Sequence, residues 1–217
     1  MRSICKIIIA LLAVAFVSVA ARAAEPIKIG MTIALTGPLA GTGKGALMAT
    51  QMWVEDINAK GGLIGRPVEL IHYDDQSNPS TVPGLYTKLI DVDKVDLVMS
   101  GYATNMVAPA MPIVVQRGLV FIALYALAVN DHFKYDRYFH IVPSGDDARL
   151  EYSRGFFDIA LSMSPKPQTV AIAGADAEYS RIATDGAREN AEKLGLKIVY
   201  NRTYPPSTVD FGPIVRG

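Results

Sequence analysis

The chain has 217 residues, 21 Lys+Arg against 21 Asp+Glu, a hydrophobic fraction of 50% and one cysteine. That length allows one or two domains with substantial cores. The balanced charge offers no basic face for nucleic acid, and a lone cysteine, Cys5, allows no internal disulfide.

Residues 1–23 read as a secretory signal peptide. Arg2 and Lys6 charge its start, residues 7–21 are apolar or small apart from Ser18, and Ala21-Arg22-Ala23 fits a small-x-small cleavage site. The alternative, a membrane anchor, wants about 20 apolar residues, and this run is shorter. Removing the leader takes away three basic residues and no acids. The remaining 194 residues carry 18 Lys+Arg against 21 Asp+Glu, a net charge of −3, with no cysteine and no further stretch suited to crossing a bilayer. Export past the inner membrane, to the periplasm, is the expectation.

The first strand is expected at residues 27–35, "IKIGMTIAL", followed by the glycine-rich "TGPLAGTGKGA". Such a loop before a helix can cradle phosphate, but the spacing fails for a P-loop. Pro38 stands where the first glycine belongs, and Gly45 where the hydroxyl belongs. Gly41, Gly43 and Ala46 match a dinucleotide fingerprint, yet five residues separate the motif from the strand, and Asp74 and Asp75 come too late for the ribose. No nucleotide and no other cofactor is expected.

A helix follows at 45–60, with Leu47, Met48, Met52, Trp53 and Ile57 expected on one buried face, and "KGG" at 60–62 ends it. Strands at 68–75, 95–101 and 119–124 alternate with helices at 79–91 and 104–117. Pro109 and Pro112 must lie in first turns of the last helix or kink it. This alternation predicts α/β architecture, a parallel sheet covered on both faces, with ligands bound at the carboxyl ends of the strands. The loops there are 36–45, 74–78, 101–105 and 125–130.

A second unit is expected from about residue 138: an extended segment to 145, a helix at 146–163, a strand at 169–175, a helix at 179–194, a strand at 196–205 and the first turns of a helix from 208. The closing "VDFGPIVRG" carries apolar residues that want partners, and two strands make a narrow sheet. The expectation is a truncated second unit; the alternative is a small native domain.

Three phrases together carry a family resemblance: "IKIGMTIALTGPLAGTGKGA", "VEDINAKGGLIGRPVELIHYDDQSNP", and "TVAIAGADAEYS" followed by "GARENAEKLGLKIVYNRTYPPSTVDFGPIV". The chain resembles the periplasmic substrate-binding proteins of branched-chain amino acid ABC transporters, the leucine/isoleucine/valine-binding type, over residues 27–217. The resemblance implies a type I periplasmic binding protein: two doubly wound parallel-sheet lobes, the second incomplete here, joined by a hinge. Lobe 1 would run over 24–142 and partial lobe 2 over 143–217, with the first hinge crossing at 143–145. Such a protein closes on an amino acid and hands it to membrane permease subunits, and it is not an enzyme.

The resemblance also implies site residues. Thr42 would line the pocket wall. Thr104 would hold the ligand carboxylate through its hydroxyl and backbone N–H. Tyr125 would supply a backbone group, and Tyr179 would close over the ligand from the second lobe. Leu127 takes a position that usually carries a hydroxyl for carboxylate and ammonium, and it cannot donate. That departure keeps open an aromatic or aliphatic carboxylic acid, which would use Tyr102, Tyr125, Leu127 and Thr104. Two alternatives in function also stay open: a sensor domain of the same fold, and a non-functional remnant.

Other readings of these residues are plainer. Tyr179 could pack at a lobe edge, and Thr104 could cap its helix. Asp74 and Asp75 read as turn residues rather than metal ligands. His132 and His140 read as surface or hinge residues, Trp53 as core. No Ser-His-Asp or Cys-His set is visible.

Overall fold

A computed structural model describes residues 25–142 and 145–216. The predicted signal peptide, and Pro143 and Ser144 of the predicted hinge, lie outside the described residues.

Five strands form the first sheet: β1 (Ile27–Ile33), β2 (Val68–Asp74), β3 (Leu97–Tyr102), β4 (Phe121–Leu124) and β5 (Tyr138–His140), in the order β2-β1-β3-β4-β5. All four pairings are parallel, from Ile27 opposite Val68 to Ala123 opposite His140. β1 is an interior strand, buried at six of its seven positions, as an apolar run in a covered parallel sheet should be. The extended segment near 138, read from sequence as opening the second unit, adds the fifth strand to the first.

Helices cover both faces. On one side, α2 (Val82–Asp91), α3 (Thr104–Val107) and α4 (Met111–Arg117) bury Tyr86, Leu89, Met106, Met111 and Val114 against Val98 and Phe121 of the sheet. A 3-10 turn at Ala108–Ala110 separates α3 from α4. Pro109 and Pro112 lack the N–H that a continuous helix over 104–117 would need, so the predicted single helix divides. A short helix not foreseen, α5 (Val129–Phe133), follows β4.

On the other side, α1 (Ala40–Ala59) packs Leu47, Val54 and Ile57 against Met31, Ile33, Ile27 and Val68. It begins five residues earlier than expected. One glycine of this stretch has a steric reason: a methyl on Gly43 would land on the carbonyl oxygen of Ala34, just past the end of β1. The predicted buried face is corrected at three positions, since Met48 is 62% exposed, Met52 60% and Trp53 41%. At the far end Gly62 has φ +84 and donates from its N–H to Ile57 O at 2.8 Å, closing α1 in a conformation that glycine adopts without strain.

The second sheet has two parallel strands, β6 (Thr169–Ala175) and β7 (Lys197–Tyr204), linked by α7 (Glu178–Lys193) and flanked by α6 (Ala148–Ser162). Asp147 caps α6, its carboxylate accepting from the N–H groups of Arg149 at 3.1 Å and Leu150 at 3.3 Å. α6 crosses α7 at Gly186, where any side chain would strike the Arg149 carbonyl. Asn190 fixes that crossing by donating to Leu150 O at 2.8 Å and Ser153 Oγ at 2.9 Å. A last short helix, α8 (Gly212–Arg216), follows β7.

Candidate functional site

The carboxyl ends of β2, β3 and β4 face the start of α7, leaving a cleft of about 480 Å³ between the two units. The first unit contributes Tyr102 and Ala103 after β3, Asn105 in α3 and Tyr125 after β4. Pro38, Leu39 and Ser77 close one side. The second unit contributes Tyr152 from α6, Ala177, Tyr179 and Ser180 at the start of α7, and Pro206.

The loops that build this cleft are held by specific bonds. Asp74 braces the β1 loop, accepting from Leu35 N at 2.9 Å, Thr36 N at 3.3 Å and Thr36 Oγ1 at 2.7 Å. Slight burial works against its charge, but these bonds and one from Gln76 N prevail and hold its carboxyl below the ordinary range. Ser77 joins the β2 loop to the β1 loop: its hydroxyl donates to Thr36 O at 2.7 Å and accepts from Leu39 N at 3.0 Å. Thr104 joins the β3 and β4 loops, its Oγ1 accepting from Leu127 N at 3.1 Å.

The same loops carry unusual backbone. Among the described residues, eight non-glycine positions have positive φ, and five of them lie in the loops after β2, β3 and β4: Gln76, Ser77, Ala103, Tyr125 and Ala128. Ala103, at φ 82 and ψ 149, occupies a region that is nearly glycine's alone. These positive-φ residues gather at the carboxyl ends of the strands, the end at which open α/β sheets bind their ligands.

Of the residues singled out from sequence, Tyr102, Tyr125 and Tyr179 line the cleft. Thr104 is 1% exposed and Leu127 2%, and neither is part of the cleft lining, although Ala103 and Asn105 beside Thr104 are. Thr42, expected in a loop, sits in the first turn of α1, exposed and outside the cleft lining. Thr104 is the first residue of α3 rather than its cap, which is Ala103.

Sequence reasoning missed Tyr152. It lies 27 residues before Tyr179 in the chain, and only the packing of α6 on α7 brings the two together. Their ring centroids are 5.6 Å apart at 88°. Across the cleft Tyr102 and Tyr125 pair at 5.5 Å and 54°. Burial, then the Tyr152 hydroxyl, then the nearness of Tyr102 push the Tyr179 phenol well above its ordinary value, so it stays protonated and can donate.

The described lining is uncharged, a set of phenols, hydroxyls, one amide and apolar surface suited to seizing a small molecule. Among the described residues, no group of three or more His, Cys, Asp or Glu lies together, and no helix is long and apolar enough to cross a membrane.

The sequence profile of the periplasmic binding proteins matches residues 26–217. The chain belongs to that family. Among its curated relatives is the Leu/Ile/Val-binding protein homolog 7 of Brucella melitensis, 28% identical over 214 residues, covering 97% of this chain and 53% of the relative. This periplasmic binding protein thus spans about half the length of the curated relatives it matches over most of its sequence. Among solved structures, a solute-binding protein of an ABC transporter from Rhodopseudomonas palustris, in complex with 3,4-dihydroxybenzoic acid, superposes with a TM-score of 0.75 at 22% identity, covering 88% of this chain and 50% of that one. The branched-chain amino acid transporter substrate-binding protein of Streptococcus pneumoniae, in complex with isoleucine, superposes with a TM-score of 0.71 at 22% identity, covering 88% and 53%. The fold is that of a type I periplasmic binding protein, and its curated relatives include the leucine/isoleucine/valine-binding type that the three sequence phrases resemble.

Proposed function

We propose that this chain is the solute-binding component of an ABC importer. It captures an amino acid or related small carboxylate between its two lobes and presents it to permease subunits, without chemical change. Residues 1–23 direct it to the periplasm and are removed there. Lobe 1 extends to residue 142, lobe 2 begins at 143, and the hinge crosses at 143–145.

The observation that carries this reading is the cleft itself, walled by tyrosines of both units and floored by the strained loops at the carboxyl ends of β2, β3 and β4. A solute touching both walls favours the closed arrangement by as much as it prefers it to the open one. Tyr102, Tyr125 and Tyr179 contact the solute. Thr104 and Leu127 act in support, since the bond from Leu127 N to Thr104 Oγ1 ties together the loops that carry Tyr102 and Tyr125. Thr42 acts only if α1 shifts toward the cleft on closure. The relatives support both solute classes, since one such structure holds isoleucine and another 3,4-dihydroxybenzoic acid.

Thermal melting of the full chain tests this. The panel is leucine, isoleucine, valine, benzoate and 4-hydroxybenzoate. A solute at a hundred times its Kd adds about 2.7 kcal/mol, a rise in Tm of about 5–10 °C for a chain of this size. A rise with one class supports solute binding; a melt unmoved by every compound contradicts it.

A further inference from the structure

We infer that β6 is an interaction edge, and that two copies of this chain join through it, strand against strand, about a two-fold axis. The inference does not depend on the solute-binding reading above.

A strand at a sheet edge presents free N–H and C=O groups, which invite pairing unless charge, proline or shortness blunts them. Three of the four edges here are blunted. β2, at one edge of the first sheet, carries Glu69 and Asp74. β5, at the other, is three residues long. β7, in the second sheet, carries Lys197 and Arg202. β6 has none of these devices. Its sequence, "TVAIAGA", is seven residues without a charge or a proline, and among the described residues no strand pairs with its second edge.

A groove of about 420 Å³ runs along that edge. Residues 170–175 line it without a gap, and because strand side chains alternate between faces, a groove that meets six in a row lies beside the strand. Phe156 and Phe157 of α6 and Ala183, Thr184 and Ala187 of α7 wall it. Phe156 is 69% exposed, so the α6 wall is apolar and open to water. On β6 itself Ala171 and Ala173 are exposed, and side chains so small leave the backbone within reach of another strand.

The occupant that fits is a second β6. A two-fold axis sets the two strands antiparallel, and each fills the groove of the other. With the axis at Ile172, the middle of the strand, Ala171 stands opposite Ala173 of the partner. Charge selects this edge over its neighbour: β6 brings no charge to a pairing with itself, whereas β7 would bring two positive charges from each copy to one interface. Pairing also joins two sheets of two strands, each too narrow for a good core, into one sheet of four. The contact uses up the open edge of each copy, so assembly stops at the dimer.

Sedimentation equilibrium of the full chain at about 100 µM, where a micromolar dimer is largely formed, reads the assembly. The expected mass is twice that of the chain. Ala171→Lys with Ala173→Lys sets like charges opposite one another and returns the monomer, and so does Ala171→Glu with Ala173→Glu. Both positions are exposed, so these variants fold, which their melting curves check. Mixed in equal amounts, the Lys and Glu variants recover the dimer, because opposite charges then face across the pair; damage to the fold would not be rescued in this way. Val199→Lys, at an exposed position of β7, leaves the dimer intact. A monomeric full chain overturns the inference and leaves the edge to a different strand. So do a Lys variant that stays dimeric, a Lys and Glu mixture that stays monomeric, loss of the dimer in Val199→Lys, and assembly beyond the dimer, each of which places the contact elsewhere.

Discussion

Asp75 is fully buried at the end of β2. One carboxylate oxygen accepts from Ser77 N at 3.0 Å, and the other has no hydrogen-bond partner, nor has the Thr32 hydroxyl beside it. Burial is the main cause that raises its pKa; the bond from Ser77 N pulls the other way, and the Asp74 charge adds to the rise. The sign follows from which state holds the proton. The folded chain binds it more tightly than the unfolded chain, so this group's contribution to stability is full below about 3.8 and is lost as pH rises through the folded value. Asp75→Asn is therefore expected to stabilise the chain at pH 7 and to lose that advantage at pH 4, read from urea unfolding at both. Tyr86, also fully buried, donates to Met99 O at 2.6 Å. Tyr86→Phe removes that bond and should cost about 1 kcal/mol at any pH between these limits. Neither role was legible in the sequence. "YDD" reads as a turn, because nothing in the local spacing separates Asp74, which braces an exposed loop, from Asp75, which turns inward.

At the scale of elements, the alternation of strands and helices was plain in the sequence, because apolar runs and glycine or proline breaks are local. What sequence reading lost depended on partners far along the chain. Trp53 sits on a helix whose pattern looks amphipathic, yet α1 contacts the sheet chiefly through Leu47, Val54 and Ile57. Trp53 is the single tryptophan, so fluorescence reports it alone. Its emission should be that of a partly hydrated indole and should be quenched by acrylamide; a blue-shifted, unquenched signal would place it in the core. The glycines of "LAGTGKGA" were legible as a motif and not as a contact. Gly43→Ala pushes α1 off the end of β1 and should cost about 1–3 kcal/mol in chemical unfolding. Gly41→Ala meets nothing within 4 Å and should not destabilise, helix propensity favouring alanine by about 1 kcal/mol. Tyr152 escaped for the same reason as Gly43: its partner Tyr179 is supplied by the crossing of α6 and α7, which no single window of sequence contains.

For the whole molecule, the proposed function rests on two units whose sheet and helix ends border one cleft. The family phrases in the sequence led to this arrangement and to three of the cleft's four tyrosines. Closure on a solute is the central claim, and hydrogen exchange tests it most directly. The full chain would be exchanged alone and with a saturating mixture of leucine, isoleucine, valine, benzoate and 4-hydroxybenzoate. The account predicts that the mixture slows exchange together at residues 102–105 and 125–128 of the first unit and 177–181 of the second, because one solute bridges both. Protection confined to one unit, or exchange unchanged in all three segments, would contradict it.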